Sequence, residues 1–181
     1  MKHRKTQSGY TMIESIAFLG IVIMLGVSVL TLISRMIDKY KISRIGQQVI
    51  ELQKAVDLRY SASPNYADIS VSDLLKEKLA PSDMVANKKL YHSFAGPVNV
   101  KSGAYGYTYL ITFSKLPQQP CVELAMLGWS DKYTAHLLSV KINSAKFSWT
   151  GTPSRRLPID IAIAQKQCKD NDNNTIVWQF Q

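Results

Sequence analysis

The stretch that decides the fold is Gly9-Tyr10-Thr11-Met12-Ile13-Glu14, with the apolar run SIAFLGIVIMLGVSVLTLIS that follows it at residues 15–34. This run contains twenty residues and no charge. At about 1.5 Å per residue, a helix of that length extends roughly 30 Å, the hydrocarbon thickness of a bilayer. Basic residues lie on both sides of the run, and Glu14 stands at its entry. The stretch therefore predicts a membrane-spanning helix over residues 10–34.

The most suitable cleavage site in this stretch lies before the apolar run and not after it. A secretory signal is cleaved after its apolar region, at small residues, whereas the small residue best placed for cleavage here, Gly9, lies before it. Cleavage after Gly9 removes a basic leader, residues 1–9, and leaves the apolar helix on the mature chain. Residues 9–14 resemble the prepilin peptidase site of type IV pilins and the related pseudopilins.

This resemblance implies roles for three residues. A prepilin peptidase would cut between Gly9 and Tyr10, the new amine of Tyr10 would be N-methylated, and Glu14 would stand fifth in the mature chain. A carboxylate in hydrocarbon is costly and usually has a partner or a role. We expect Glu14 of one subunit to meet the Tyr10 amine of its neighbour and thereby set the assembly register. The alternative is a plain signal-anchor helix, in which Glu14 is only an interfacial residue.

The predicted helix continues beyond the apolar run, because no proline occurs in residues 10–63. Apolar residues then recur three or four positions apart, which places them on one helical face: Ile42, Ile45, Val49, Leu52 and Val56. The other faces carry Lys39, Lys41, Arg44, Gln47, Gln48, Glu51 and Lys54. We therefore predict a leader at 1–9, one helix at 10–60 and a globular head at 61–181. The helix divides into a transmembrane or fibre-core half, 10–34, and an amphipathic half, 35–60.

The head is predicted to be α+β. Residues 105–113, rich in aromatic and β-branched side chains, form the most strand-like segment. Residues 94–100 are predicted to form a turn that leads into an extended segment, with further strands at 135–142, 146–150 and 175–180 and short helices at 73–79 and 121–127. Residues 83–93 show no clear pattern, and residues 158–168 fit a helix or a strand. The expected fold is a mainly antiparallel sheet of four or so strands packed on the second half of the long helix.

Two cysteines, Cys121 and Cys168, both lie in the predicted head. An even pair in an exported domain predicts a disulfide, and two separate buried thiols are the alternative. Closing a loop of this size stabilises a fold by about 4 kcal/mol on the chain-entropy model.

A second resemblance lies in the head. FAGPVNV at 94–100, the Tyr/Thr-rich segment after it and PCVELA at 120–125 look like the heads of type IVb major pilins, including those of bundle-forming and conjugative-plasmid pili. In those heads a disulfide closes a large loop near the C-terminus, which implies that Cys121 pairs with Cys168. The nine-residue leader is short for that group, and Tyr10 is an unusual first residue.

Catalytic and metal-binding patterns are absent from the sequence. His92 and His136 stand alone, and no cysteine spacing suits zinc. Asp170 and Asp172 lack the spacing and the distal glutamate of an EF-hand, so a polar turn is favoured there. An enzyme needs several groups placed together, and no enzymatic activity, cofactor or metal is therefore expected.

The net charge of +9 suits attraction to DNA or to anionic lipid. The positive charges are scattered along the chain, however, which favours a solvated surface, and nucleic acid is not an expected partner.

The two resemblances together imply a structural subunit of a type IV pilus. Its expected partners are further copies of itself, the prepilin peptidase, the pilus assembly platform and minor pilins. The precursor is expected in the bacterial inner membrane with its head in the periplasm, and the mature subunit in an extracellular fibre for adhesion, aggregation or mating contact. The alternatives are a minor pilin, a pseudopilin of type II secretion, and a membrane-anchored periplasmic binding domain that never polymerises.

Overall fold

The computed structural model describes residues 12–63, 65–127 and 136–181. The leader, the cleavage residues Gly9 and Tyr10, and the first residue of the strand predicted at 135–142 lie outside these ranges. The chain divides into two compact units between Tyr40 and Lys41. We call residues 41–181 the head unit, because they join the last part of the long helix to the predicted head.

Helix α1 extends over Met12–Tyr60, so the prediction of one long helix is confirmed to within its first residues. An uninterrupted run without proline accounts for its length, since proline would remove a helical hydrogen bond. The stripe from Ile42 to Val56 is buried in the head unit, as its spacing predicts. Among the described residues, no helix is at once long enough and apolar enough to cross a membrane.

In the described residues one antiparallel sheet of seven strands forms the head. The strands are β1 Val85–Ala86, β2 Lys89–Tyr91, β3 Pro97–Ser102, β4 Tyr109–Leu116, β5 Leu137–Ile142, β6 Ala145–Ser148 and β7 Asn174–Phe180. Three short α-helices accompany them: α2 Val71–Lys76, α3 Gln118–Ala125 and α4 Ile161–Gln167. Single 3-10 turns form at Ser82–Met84, Ala104–Gly106 and Pro153–Arg155.

The last strand of the chain lies inside the sheet, because the strand order is β1-β2-β3-β4-β7-β5-β6. Its alternation places Ile176, Trp178 and Phe180 in the core. Trp178 stands opposite Ile111 on β4 and Val140 on β5. The core therefore forms between one face of this sheet and the buried stripe of α1.

The predicted head differs from the structure in two places, and the structure decides a third segment that the sequence left open. The sheet is larger than the expected four or so strands, because residues 83–93 contribute β1 and β2. The strand predicted at 105–113 begins only at Tyr109, since a 3-10 turn occupies Ala104–Gly106. Of the two alternatives for residues 158–168, the helix is present at Ile161–Gln167, and the Asp160 side chain caps it by accepting from the Ala162 N–H at 2.8 Å.

Candidate assembly surface

Large apolar side chains cover the described N-terminal part of α1, and we call them the apolar surface. Each is at least 46% exposed in the isolated chain. They are Met12, Ile13, Ile16, Phe18, Leu19, Ile21, Val22, Ile23, Met24, Leu25, Val29, Leu32, Ile33, Met36 and Ile37. Monomeric soluble proteins rarely expose apolar patches of this extent, so the apolar surface marks an interaction site.

The apolar surface extends around the whole circumference of the helix. Five consecutive residues, Ile21, Val22, Ile23, Met24 and Leu25, are all exposed. Successive residues of an α-helix are about 100° apart, so five of them cover a full turn. A partner on one side would leave part of this surface uncovered. A helix that is apolar all round is stable where apolar material surrounds it.

Glu14 lies in the first turn of α1 and is exposed. A carboxylate at this end of a helix is favoured by the helix dipole. Its expected partner, the Tyr10 amine, lies outside the described residues, as does Gly9. The cleavage site and the register role of Glu14 therefore stay predictions.

A disulfide joins Cys121 on α3 to Cys168 at the end of α4, with the two Cα atoms 5.9 Å apart. Both cysteines are buried in the core. The Gln118 Nε2 donates to the carbonyl oxygen of Cys168 at 3.2 Å, which adds a polar contact between the same two helices. The pairing that the resemblance implied is present, and the alternative of two separate thiols is wrong.

Arg44 on α1 forms an ion pair with Asp83 in the 3-10 turn Ser82–Met84, which precedes β1. Its guanidinium donates to both carboxylate oxygens of Asp83 at 2.8 Å, and it also contacts Glu51 at 2.8 Å and 3.1 Å. Hydrogen bonding to Arg44 lowers the pKa of Asp83. The same bonds, first to Asp83 and then to Glu51, raise the pKa of Arg44. This network is partly exposed, so solvent weakens its contribution to stability.

Gln48 takes part in the same contact between α1 and Asp83. The helical spacing predicts it on a polar face of α1. It is buried, because its Nε2 donates to Asp83 at 2.9 Å and its Oε1 accepts from the N–H and hydroxyl of Ser93 at 3.2 Å. The sequence offered no signal for this burial, since the two partners lie far along the chain.

Asn174 is a fully buried amide at the start of β7. Its Nδ2 lies within hydrogen-bond distance of the carbonyl oxygens of Leu116, Lys169 and Asn171, at 2.9–3.1 Å. Its Oδ1 accepts from the Lys169 N–H at 2.7 Å and from Asn143 Nδ2 at 3.0 Å. One side chain thus connects the end of β4, the loop after α4 and the β5–β6 turn. In the sequence it is only one of several polar residues in a predicted turn.

The His92 side chain forms hydrogen bonds at the turn before β3. Its Nδ1 accepts from the Phe94 N–H at 3.2 Å, which leaves the proton on Nε2, 2.8 Å from the carbonyl oxygen of Ser114. The ring stacks on Phe113 with centroids 5.4 Å apart. Burial lowers the pKa of His92, and the bond to Ser114 opposes this only in part. The histidine is therefore a neutral packing residue.

No group of three or more His, Cys, Asp or Glu side chains in the described part of the chain is placed to hold a metal ion. His136 is exposed just before β5, and Asp170 and Asp172 are exposed in the loop between α4 and β7. None of these side chains therefore belongs to a metal-binding group among the described residues.

Comparison with known proteins agrees with this geometry. No curated protein sequence matches the chain. Two solved structures share its fold at low sequence identity. The type IV b pilin from Salmonella typhi aligns with a TM-score of 0.53 and 18% identity, over 75% of this chain and 96% of that one. TcpA, a type IV pilin from Vibrio cholerae El Tor biotype, aligns with a TM-score of 0.52 and 14% identity, over 78% and 99% of the two chains.

The sequence also matches the family model described as PilS N terminal, over residues 39–181. This range contains most of the amphipathic part of α1, all seven described strands of the sheet and both cysteines. The chain therefore belongs to the PilS N-terminal family and has the fold of type IV pilins, which are structural proteins and not enzymes.

Proposed function

We propose that this protein is the structural subunit of a type IV pilus and polymerises into an extracellular fibre through the apolar surface of α1. The observation that carries the proposal is the exposure of five consecutive apolar residues, Ile21 to Leu25. In a fibre, helices from several neighbouring copies surround each α1 and cover all of these side chains. Apolar burial of this kind drives association in proportion to the area covered.

The experiment substitutes asparagine at each of the five positions in turn, in five separate variants. A helix surrounded by neighbours is sensitive at every position, because each asparagine would carry a polar amide into an apolar core. We expect each variant to form far fewer fibres than wild type at equal subunit level. Fibres are counted by electron microscopy, and subunit level is measured by blotting.

Leu58→Asn is the matched control, because Leu58 lies on the same helix and is 70% exposed in the head unit. We expect it to assemble normally. Normal fibre numbers from all five apolar-surface variants would contradict the proposal, and normal numbers from only some of them would indicate a one-sided partner instead.

Processing is a further part of the proposal. It rests on the sequence around Gly9, Tyr10 and Glu14 and on the pilin family to which the chain belongs. The intact mass of the mature protein tests it, with the expected loss of residues 1–9 and gain of one methyl group. A mature protein that retains its leader would contradict cleavage and favour a non-polymerising anchored domain. The inner-membrane stage of the precursor and the use of the fibre in adhesion or mating stay predictions.

A further inference from the structure

Two loops of the head unit meet where α1 ends. The first follows α1 and comprises residues 61–63 and 65–67, and the second joins β3 to β4 and comprises residues 103–108. The Tyr66 N–H donates to the carbonyl oxygen of Gly106 at 2.6 Å. A Cβ atom added at Gly106 would lie 3.3 Å from the Cβ of Ala67, so the two loops touch.

The described residues of both loops consist of tyrosine, serine, glycine, asparagine, alanine and threonine, without one charge. Binding loops of antibodies have a similar composition. Tyrosine supplies a large amphipathic ring at low entropic cost, and the small residues leave the ring accessible. Charged residues begin only outside the loops, at Asp68 and Lys101.

Tyr105 and Tyr107 project from the second loop, and we call them the tyrosine pair. Tyr105 is 93% exposed and Tyr107 is 65% exposed. Tyr105 has φ 56°, a backbone conformation that is uncommon for a residue other than glycine. Neither side chain forms a hydrogen bond or a ring contact with another described residue. The packing of the described head therefore does not account for these two aromatic rings.

A backbone hydrogen bond and close contacts at two glycines brace the loop that carries the tyrosine pair. The Gly103 N–H donates to the carbonyl oxygen of Thr108 at 2.7 Å. A Cβ atom at Gly103 would lie 2.1 Å from the Thr108 Oγ1, and Gly106 has φ 74°, so both positions require glycine. The rings are thus displayed on a support ordered during folding, which reduces the entropy lost when a ligand binds.

The rest of this end of the head anchors the loop. The Tyr66 ring packs on Tyr109 with centroids 4.9 Å apart, and the Tyr109 hydroxyl donates to Asp57 at 2.9 Å. Tyr109 also stacks on Phe180 of the central strand β7. Buried aromatic packing therefore supports the loop. The position of the tyrosine pair does not depend on contacts made by its own two rings.

We propose that the tyrosine pair is a binding site for an uncharged saccharide. The flat rings suit the C–H face of a pyranose, and the tyrosine hydroxyls suit its hydroxyl groups. The absence of charge in both loops argues against an anionic polymer. The described residues of both loops also lack larger aliphatic side chains, so the tyrosine rings are the largest apolar groups that a ligand would meet there. The site lies in the head unit and does not depend on whether the chain polymerises.

The test uses the full chain in mild detergent and three neutral probes, lactose, maltotriose and chitotriose, each immobilised for a surface-binding measurement. We expect the wild-type protein to bind at least one of them. The double variant Tyr105→Gly/Tyr107→Ala should weaken that binding at least tenfold. Glycine is chosen at 105 because it accepts the observed φ without strain. An unchanged unfolding midpoint confirms that this variant is folded.

Two further variants sharpen the result. Tyr105→Phe keeps the ring and should retain most of the affinity. Tyr40→Ala is the matched control, since Tyr40 is 71% exposed but lies outside the head unit, and it should bind as wild type does. The proposal is overturned if none of the probes binds at millimolar concentration, or if the double variant binds as well as wild type. Binding to heparin alone would overturn it in favour of a polyanion. Loss of self-association alone, measured by light scattering, would overturn it in favour of a second copy of this chain.

Discussion

At Asn174 a single buried amide joins three segments of the head that lie far apart in the sequence. Carbonyl oxygens and an N–H group surround the amide, and they bond to this side chain in place of water. Removing one partner from such a cluster leaves several buried polar groups unsatisfied, which costs more than the hydrogen bonds themselves contribute.

We expect Asn174→Leu to lower the free energy of unfolding of the head by about 3 kcal/mol, because buried donors and acceptors lose their partner. Urea denaturation followed by tryptophan fluorescence, to which the core residue Trp178 contributes, measures the change. Asn173→Ala is the matched control, since its side chain is exposed next to the same strand, and it should change stability by less than about 0.5 kcal/mol. A similar loss from both variants would show that the amide cluster is not the cause.

His92 makes the head sensitive to mild acid. Burial lowers its pKa below the ordinary value near 6.5, so the folded state holds fewer protons than the unfolded state. This contribution to stability is complete above about pH 6.5 and is lost as the pH falls toward the folded-state pKa, at no more than about 1.4 kcal/mol per pH unit. We expect the unfolding midpoint to decrease as the pH is lowered from 7 to 5.

His92→Gln serves as the comparison, because it has no titrating ring, while the exposed His136 remains in both proteins. We expect a flatter dependence of the midpoint on pH for this variant. Equal slopes for the two proteins would assign the effect to other groups.

Among the elements, α3 and α4 are joined both by packing and by the disulfide between Cys121 and Cys168. Between these two residues the chain contributes β5, β6 and α4. A covalent link across a separation of 47 residues restricts the unfolded chain, which is the main source of its stabilising effect.

We expect the double variant Cys121→Ser/Cys168→Ser to unfold with a free energy lower by about 4 kcal/mol on the chain-entropy model, and by more if the buried hydroxyls lack partners. Chemical denaturation of the oxidised wild type, the reduced wild type and the variant separates these contributions. If reduction of the wild type leaves the midpoint unchanged, the link contributes nothing to the stability of the head.

For the whole molecule, the proposed fibre requires that copies assemble in one axial register. The apolar surface favours burial but is similar on every side, so it does not by itself select a register. A charged pair within an apolar core does select one, because a shifted neighbour leaves a buried charge without its partner.

We expect Glu14→Ala to be processed and folded with its disulfide formed, yet to assemble poorly. Removing one partner of a buried pair costs about 3–5 kcal/mol, and about 1.4 kcal/mol weakens each addition step tenfold. Electron microscopy counts the fibres, and blotting under non-reducing conditions checks subunit level and the disulfide. Wild-type fibre numbers at equal subunit level would show that Glu14 does not set the register.

The amino-acid sequence was sufficient for the features that depend on local pattern. A long run without proline and a three-to-four spacing of apolar residues predict α1 and its buried stripe from Ile42 to Val56, because helical periodicity is a property of neighbouring residues. The resemblance of residues 94–100 and 120–125 to known heads implied the bond between Cys121 and Cys168, and the α+β class followed from the predicted strands and helices.

Other features depended on contacts between residues far apart in the chain, and no local pattern encodes them. The central place of β7 depends on its pairing with β4 and β5, the burial of Gln48 on Asp83, 35 positions away, and the burial of Asn174 in part on Leu116, 58 positions away. The tyrosine pair belongs with these, since residues 105–113 have the composition of one continuous strand. The 3-10 turn at Ala104–Gly106 interrupts that segment, so Tyr105 and Tyr107 are exposed whereas Tyr109 is buried. Burial of a polar or aromatic side chain is determined by what the folded chain brings against it, and that is a property of the tertiary structure.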